Sequence, residues 1–528
     1  MQQQMVDVLI SKMKRCTEVL NWGSAYATLA RRFADRPAVT TPTGEHSFAE
    51  VIGRAAAVAA VLRAGGFESG SPVATVLPNR AHAVWGSIGI TLSGAAEASL
   101  NAVMTANELK YCLDLIGAKA VIADERTAAA VHAAGYSPLL IEEISATTAD
   151  VVEDCPVAGD LWGKILFTSG TTGRPKAIVH THRGRWLANQ MLRASLPFMP
   201  TSQTRLLLMT PYSHGASLLT GAFLDTGASI HLMNGVDVAH IRTLLTTGTI
   251  DCMFAPPTVL SKITEGLGEF NTSSLRTIFT GTATLSATLY QRTKDIFGPI
   301  VRITYGKTEI FNPITVLEPA DTDAVYAAGD GQGSANLGWP VSGVEISIRD
   351  EDDKACAVGT AGRIFLRAPH MMSAYIDDAG LHDVGLQDWH ETGDVGLLSP
   401  RGQLQLAGRE NDVIKTGGYK LFPQEVEAPL LGSGIASEIV VVGVPSAYWG
   451  QIVVLVAEQP IAGWEEQAAA TIETLSRYKR PRAYIAVSQL PRNAQGKLQR
   501  PKVLEMIMND YAVEDGPHPV IRRVSAAL

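Results

Sequence analysis

Apolar and polar positions along the chain fall into two alternating textures. Ala-rich stretches with helical spacing, such as Phe48 to Gly65 and Asn79 to Gly94, are interleaved with short apolar runs of strand length, such as Pro72 to Leu77 and Ala118 to Ile122. Sustained over the first 160 residues, that alternation predicts layered α/β structure on a largely parallel sheet. Residues 205 to 310 repeat it, with strands expected at Arg205 to Met209 and Ile278 to Thr280. From Gly333 to Arg367 the segments shorten, and Val344 to Arg349 and Gly362 to Arg367 read as strands of a β-rich subdomain. A break falls at Gly408 to Asp412, beyond which a separate α/β pattern includes Glu438 to Gly443 and Ile452 to Glu458. The expected fold is α/β. A large multi-subdomain N-terminal domain, residues 1–410, holds layered α/β sheets and the β-rich part, and a small α+β C-terminal domain follows over residues 411–528. No low-complexity linker joins them, so the junction reads as a hinge rather than a tether.

Composition narrows the function classes. The 528 residues exceed one typical domain, and a 46% hydrophobic content supplies ample core. A formal charge of -8 gives no basic footprint for nucleic acid. Cys16, Cys112, Cys155, Cys252 and Cys356 form no CxxC pair, which argues against a disulfide framework or a zinc site and fits a reducing compartment, the cytoplasm. The lysine-bearing start lacks the apolar core and cleavage site of a signal peptide, and no apolar run is long enough to span a membrane.

The most chemically specific stretch is Ile165 to Lys176. Ile165 to Phe167 read as the end of a buried strand; Thr168, Ser169, Thr171 and Thr172 then surround Gly170, and Gly173 and Lys176 follow. Glycines let backbone approach a ligand closely, and successive N–H groups and hydroxyls form a concave anion nest. A Walker loop needs Lys directly after its second Gly and then a helix. Here Arg174 and Pro175 intervene and Ala177 to Val179 reads as a strand, so a strand–loop–strand hairpin closing over a polyphosphate is expected.

Four further stretches carry chemistry. In Tyr305-Gly306-Lys307-Thr308-Glu309, expected where a strand meets a loop, Tyr305 offers a flat face for a purine, and Thr308 and Glu309 are oxygen ligands of the kind magnesium takes beside phosphate oxygens. Thr392-Gly393-Asp394 puts a carboxylate on an expected tight turn, with two acceptor oxygens for the hydroxyls of a ribose. Arg409 is suited to phosphate or ribose, and Gly417-Gly418 to a loop lying flat against a ligand channel. Lys497 follows Gly496 in a flexible loop, free to reach into a cleft.

In order, spacing and content, these five stretches resemble the signatures of the adenylate-forming superfamily, which comprises acyl- and aryl-CoA ligases, adenylation domains of peptide synthetases and luciferases. The resemblance covers nearly the whole chain and is nearest to free-standing acyl- or aryl-CoA ligases. It implies that a carboxylic acid is activated with ATP and Mg2+ to an acyl-AMP and passed to a thiol, by default that of CoA. Thr168, Ser169, Gly170, Thr171, Thr172, Gly173 and Lys176 would bind the β- and γ-phosphates. Gly281, Thr282, Tyr305, Gly306, Asp394, Arg409 and Gly418 would complete the nucleotide site, with Asp394 on the ribose. Glu309 would hold the metal, Thr308 and Glu309 would belong to the catalytic set, and Lys497 would meet the carboxylate and α-phosphate oxygens. The C-terminal domain would be a mobile lid rotating about Asn411, where relatives usually have Asp or Lys.

Pro211 to Gly215 resembles the motif that begins the acyl pocket. Peptide-synthetase domains place an Asp at the position aligned with His214, where it pairs with the amino acid's ammonium; a histidine supplies no such fixed charge, which favours an aryl, fatty or other simple acid. His214 is equally open to a gating or packing role. Gly281 and Thr282 lie on the pocket side, and Thr282 stands where relatives often have a glycine, which favours an aryl or short acid over a long chain. Lys307 and Arg363 receive no role from the sequence. A carrier-protein thiol and a nitrogen nucleophile remain alternative acceptors, and a catalytically silent nucleotide binder is the non-enzyme alternative.

Overall fold

The computed structural model describes residues 19–149, 152–169, 174–270, 275–281, 283–328, 335–430, 433–492 and 498–524. Among the described residues the strands form two large sheets, of eight and thirteen strands, and a five-stranded sheet toward the C-terminus.

The eight-stranded sheet has a parallel centre, in which Pro72–Val76 lies between Ala96–Leu100 and Ala120–Ala123, and Ala96–Leu100 also pairs with Trp162–Ser169. Strands covered on both faces read as continuous apolar runs, which is why these segments stood out in the sequence. The sheet turns antiparallel where Trp162–Ser169 folds back on Pro175–Thr181, with Ser169 opposite Pro175. This is the expected strand–loop–strand hairpin. Its outer edge is covered by Ala374–Asp377, itself paired with Gly380–Asp383.

The thirteen-stranded sheet runs parallel through Arg205–Leu208, Cys252–Phe254, Thr277–Thr280 and Val301–Lys307. Ile310–Leu317 then reverses direction, and Ala335–Pro340, Leu404–Arg409, His390–Leu398, Gly362–Arg367 and Glu345–Arg349 continue it antiparallel. The β-rich part is therefore hydrogen-bonded into the parallel part as one sheet. Its shorter segments reflect the change of strand direction, because antiparallel neighbours need no helical crossover.

Two helices lie between the large sheets. Ser47 caps Phe48–Ala64 by accepting the Glu50 N–H, and every residue of Ala81–Ser93 is buried. A helix enclosed on all sides must be apolar or small all round. Gly89 permits the close crossing, since a Cβ there would lie 2.6 Å from Val58 and 2.7 Å from the Ala55 carbonyl. One apolar cluster joins Val51 and Ile88 to Leu206, Ile230 and Phe279 of the larger sheet.

Toward the C-terminus, Glu438–Ser446 and Gly450–Glu458 form a long antiparallel pair flanked by Ile414–Thr416 and Ala483–Val487. Arg500 clamps the buried Glu427 and lies 3.5 Å from Asp412. No helix among the described residues is long and apolar enough to cross a membrane.

Candidate active site

Val301–Lys307 ends at the carboxyl edge of the parallel strands, where open α/β sheets gather ligands. It turns through Thr308 and Glu309 into Ile310–Leu317, so the Tyr305–Glu309 motif is a strand end and a hairpin turn. Tyr305 is buried and donates its hydroxyl to Asp394 Oδ2. Lys307 Nζ donates to the Thr392 carbonyl at 2.6 Å and to the same Asp394 oxygen at 3.2 Å. Arg409 Nε stands 3.6 Å from the other oxygen, Oδ1. Burial, reinforced by the Asp394 charge, raises the Tyr305 phenol, which therefore stays protonated and acts as a donor. Lys307 thus acquires a contact that its sequence neighbours did not suggest.

The structure corrects the expected turn at Thr392-Gly393-Asp394. Asp394 lies inside the strand His390–Leu398, with Arg409 directly opposite it. The local signals of a turn are present, since Gly393 adopts φ +69 and the Asp394 N–H donates to Thr392 Oγ1 at 3.1 Å. Pairing to neighbours on both sides overrides them, and the irregularity is accommodated by shifts of register in both ladders. Arg363, also without a role in the sequence, bridges Glu391 at 2.8 Å and Asp353 at 2.5 Å on the sheet face.

Two distant segments hold the Thr308–Glu309 turn. His180, on the return strand of the hairpin formed by Trp162–Ser169 and Pro175–Thr181, donates from Nε2 to the Thr308 carbonyl at 2.8 Å and stacks on Phe311 with ring centres 3.7 Å apart. Burial lowers its pKa to about 3 despite that hydrogen bond, so the ring is neutral at pH 7. From the other side the Met372 N–H donates to the Glu309 carbonyl at 2.8 Å. Thr168 and Lys176 face each other across the hairpin, and Lys176 Nζ lies 3.1 Å from Asp377 and 5.2 Å over the Tyr375 ring. Asp377 belongs to the strand added from far down the chain, a partner that local motif reading missed.

His390 was also missed. Burial lowers its pKa while the Glu309 charge raises it, and its Nε2 has no hydrogen-bond partner among the described residues. Only its place just before the Thr-Gly-Asp stretch hinted at it. No group of three or more His, Cys, Asp or Glu side chains able to hold a metal occurs among the described residues. A cation here would rest on Glu309 and on phosphate oxygens, a donor set that fits magnesium.

The glycines of the site are fixed by close approach. A Cβ on Gly281 would lie 2.4 Å from the Thr304 carbonyl, and one on Gly306 would lie 2.1 Å from Asn312 Oδ1. Gly418 adopts φ +82, and the neighbouring Gly417 N–H donates to the Trp449 carbonyl at 2.8 Å. Asn411 is the middle residue of the short turn Glu410–Asp412. His214 sits within the wide turn Tyr212–Ala216, whose chain path is held by Ser217 Oγ donating to the His214 carbonyl at 2.9 Å. Gly170, Thr171, Thr172, Gly173, Thr282 and Lys497 lie outside the described residues, and Ser169 is described by its backbone alone.

Known proteins bear on this arrangement. The family profile described as AMP-binding enzyme matches residues 26–376, and that of the AMP-binding enzyme C-terminal domain matches residues 425–497. The chain is 30% identical over 522 residues to the 3-[(3aS,4S,7aS)-7a-methyl-1,5-dioxo-octahydro-1H-inden-4-yl]propanoyl:CoA ligase of Mycobacterium tuberculosis, a match covering 92% of this chain and 98% of that protein. It is 26% identical over 490 residues to the 2-succinylbenzoate–CoA ligase of Bacillus subtilis, covering 92% of this chain and 97% of the other. Among solved structures, ATP-bound MatB from Rhodopseudomonas palustris superposes with a TM-score of 0.77 at 25% identity, over 92% of this chain and 99% of that one.

Proposed function

The chain belongs to the AMP-binding enzyme family, and from that premise we propose how its residues divide the work of an AMP-forming acid–thiol ligase. The enzyme activates a carboxylic acid with ATP and passes the acyl group to CoA. A carboxylate oxygen attacks the α-phosphorus, the bond to the bridging oxygen breaks, and pyrophosphate leaves. The CoA thiol then attacks the acyl carbon and AMP departs.

Asp394 is the ribose acceptor in this reading. Tyr305 and Lys307 occupy its Oδ2, while Oδ1 faces the half-exposed Arg409 at a distance that a ligand hydroxyl can replace. The phosphate hairpin, Thr168 to Lys176, encloses the β- and γ-phosphates. Magnesium, carried by Glu309, would neutralise charge on the phosphate oxygens. Thr308 stays in position because neutral His180 grips its carbonyl. Lys497 meets the charge that develops between the carboxylate and the α-phosphate, and residues 411–528 move about Asn411 to expose the adenylate to the thiol. Gly281, Thr282 and His214 line the entry of the acid. The scattered cysteines support a cytoplasmic setting, and the formal charge of -8 supports no nucleic acid as partner.

The observation that carries this assignment is the clamp on the Thr308–Glu309 turn, which joins the phosphate hairpin, the Tyr305 motif and the strand beyond Met372 in one place. Its test is pyrophosphate release across a panel of acids, with and without CoA. Acid-dependent release with thioester formation is expected. Release without thioester would indicate a carrier-protein thiol or a nitrogen acceptor, and no release with any acid would leave a nucleotide binder.

A further inference from the structure

A cavity of about 310 Å³ lies behind the Tyr305–Glu309 hairpin, among the helices Trp22–Arg32, Ala81–Ser93, His182–Ala194 and Ser217–Leu224. Its size is at the small end of ligand pockets. Phe311 and Asn312 form the wall nearest the nucleotide site, and Asn312 is the residue pressed against Gly306. Lys164, at the far wall, lies four residues before Thr168 on one strand. Alternate residues of a strand share a face, so Lys164, Leu166 and Thr168 point the same way, and Lys164 stands roughly 13 Å along the strand from the phosphate hairpin.

The far wall is polar. Lys164 is fully buried and donates to Glu97 at 2.9 Å and to Ser99 at 3.0 Å. Arg185 donates to Thr91 at 2.6 Å and approaches Glu97 at 3.8 Å, while Arg193 lies 3.3 Å from Asp225. Three cations thus face two carboxylates. Asn189 gives its amide N–H to Asp225 at 2.7 Å, and its buried Oδ1 has no partner among the described residues. A hydrocarbon guest would leave the guanidinium N–H groups that line the cavity without water or an acceptor, whereas a guest oxygen accepts from them; Asn189 Oδ1, itself an acceptor, gains nothing from such a guest.

We propose that this cavity receives the far end of the acid, and that the acid carries an oxygen acceptor there, a ketone or a second carboxylate, which Arg185 and Arg193 hold. Lys164 is already committed to Glu97 and sets the charge of the wall without touching the guest. The inference rests on the acid-activation reading above and names the substrate class of that site.

The test compares octanoate, octanedioate and the keto acid of the same length by kcat/KM for acid-dependent pyrophosphate release. The oxygenated acids should exceed octanoate by at least about tenfold, since a site built to hydrogen-bond a substrate group discriminates strongly against analogues lacking it. Arg185→Gln and Arg193→Gln should each reduce that ratio about fivefold or more, by loss of one charge-assisted hydrogen bond. The ratio is taken within each variant, so a smaller folded fraction does not alter it. Equal use of octanoate, or an unchanged ratio in both variants, overturns the inference while leaving the ligase reading intact. No pyrophosphate with any acid in the wild type overturns the ligase reading and this inference with it.

Discussion

Two buried carboxylates, Glu97 and Asp394, each sit on a strand beside a lysine and an arginine, yet their surroundings differ. Glu97 is 2% exposed and bonded to Ser87, Ser99 and Lys164, with Arg185 close by. Burial alone would raise its pKa; the Lys164 and Arg185 charges and the hydrogen bonds overrule it and pull it down to about 2. Asp394 is also buried, at 5%, but its Oδ1 faces a loosely held Arg409, 3.6 Å away, whose side chain is 55% exposed. A carboxylate with all its acceptors committed serves the protein interior. One with an oxygen facing a displaceable partner is placed to bind something else.

Substitutions should separate the two. Lys164→Met leaves Glu97 charged with its nearest cation, Arg185, at 3.8 Å, and removing one partner of a buried ion pair costs ~3–5 kcal/mol. Denaturant unfolding should show that loss, and a midpoint equal to wild type would show that the pair contributes nothing. The same carboxylate gives a pH signature. Its pKa is lowered on folding, so its contribution is complete above the ordinary value of 4.5 and lost as pH falls toward about 2. In Glu97→Gln the slope of stability against pH in that window should flatten.

Lys497→Ala should cost about 2.7–4 kcal/mol in acyl-AMP formation, comparable to loss of an oxyanion donor. Thioester formation from supplied acyl-AMP should change far less, and equal losses in both half-reactions would refute the assigned role. Asp394→Asn should raise the KM for ATP about tenfold or more, from the loss of ~1.5–3 kcal/mol in a hydrogen bond to a charged group. It should move the unfolding midpoint less than Lys164→Met does, and the reverse ranking would erase the contrast drawn here. Lys307→Met should give a smaller rise in the same KM, on the order of 1 kcal/mol, because Tyr305 still holds Oδ2. Measuring ATP saturation at fixed acid and CoA distinguishes these two. Asn411→Pro should reduce thioester formation while sparing adenylation, because proline locks φ at the proposed pivot.

What was legible in the sequence was local. The run from Ile165 to Lys176 announced a hairpin because its glycines, hydroxyls and flanking apolar residues are contiguous, and Gly281 and Gly306 occur where backbone or a side chain approaches too closely for any Cβ. Thr392-Gly393-Asp394 was misread as a turn for the same reason, since its immediate neighbours carry turn chemistry and the strands beside it come from residues 362–367 and 404–409. The contacts of His180 on Thr308, Lys307 on Asp394 and Asp377 on Lys176 each join residues separated by 87 or more positions.

The chain's own order of residues determined the layers, the strand–loop–strand hairpin and the family to which the protein belongs, because periodicity and contiguous motifs depend only on near neighbours. Tertiary structure alone decided that Lys307 bonds Asp394, that His390 is buried where the Glu309 charge acts on it, and that a buried Lys164–Glu97 pair borders a polar cavity behind the Tyr305–Glu309 turn. Charge pairing and burial act through space, and only folding brings residues distant in sequence within their reach.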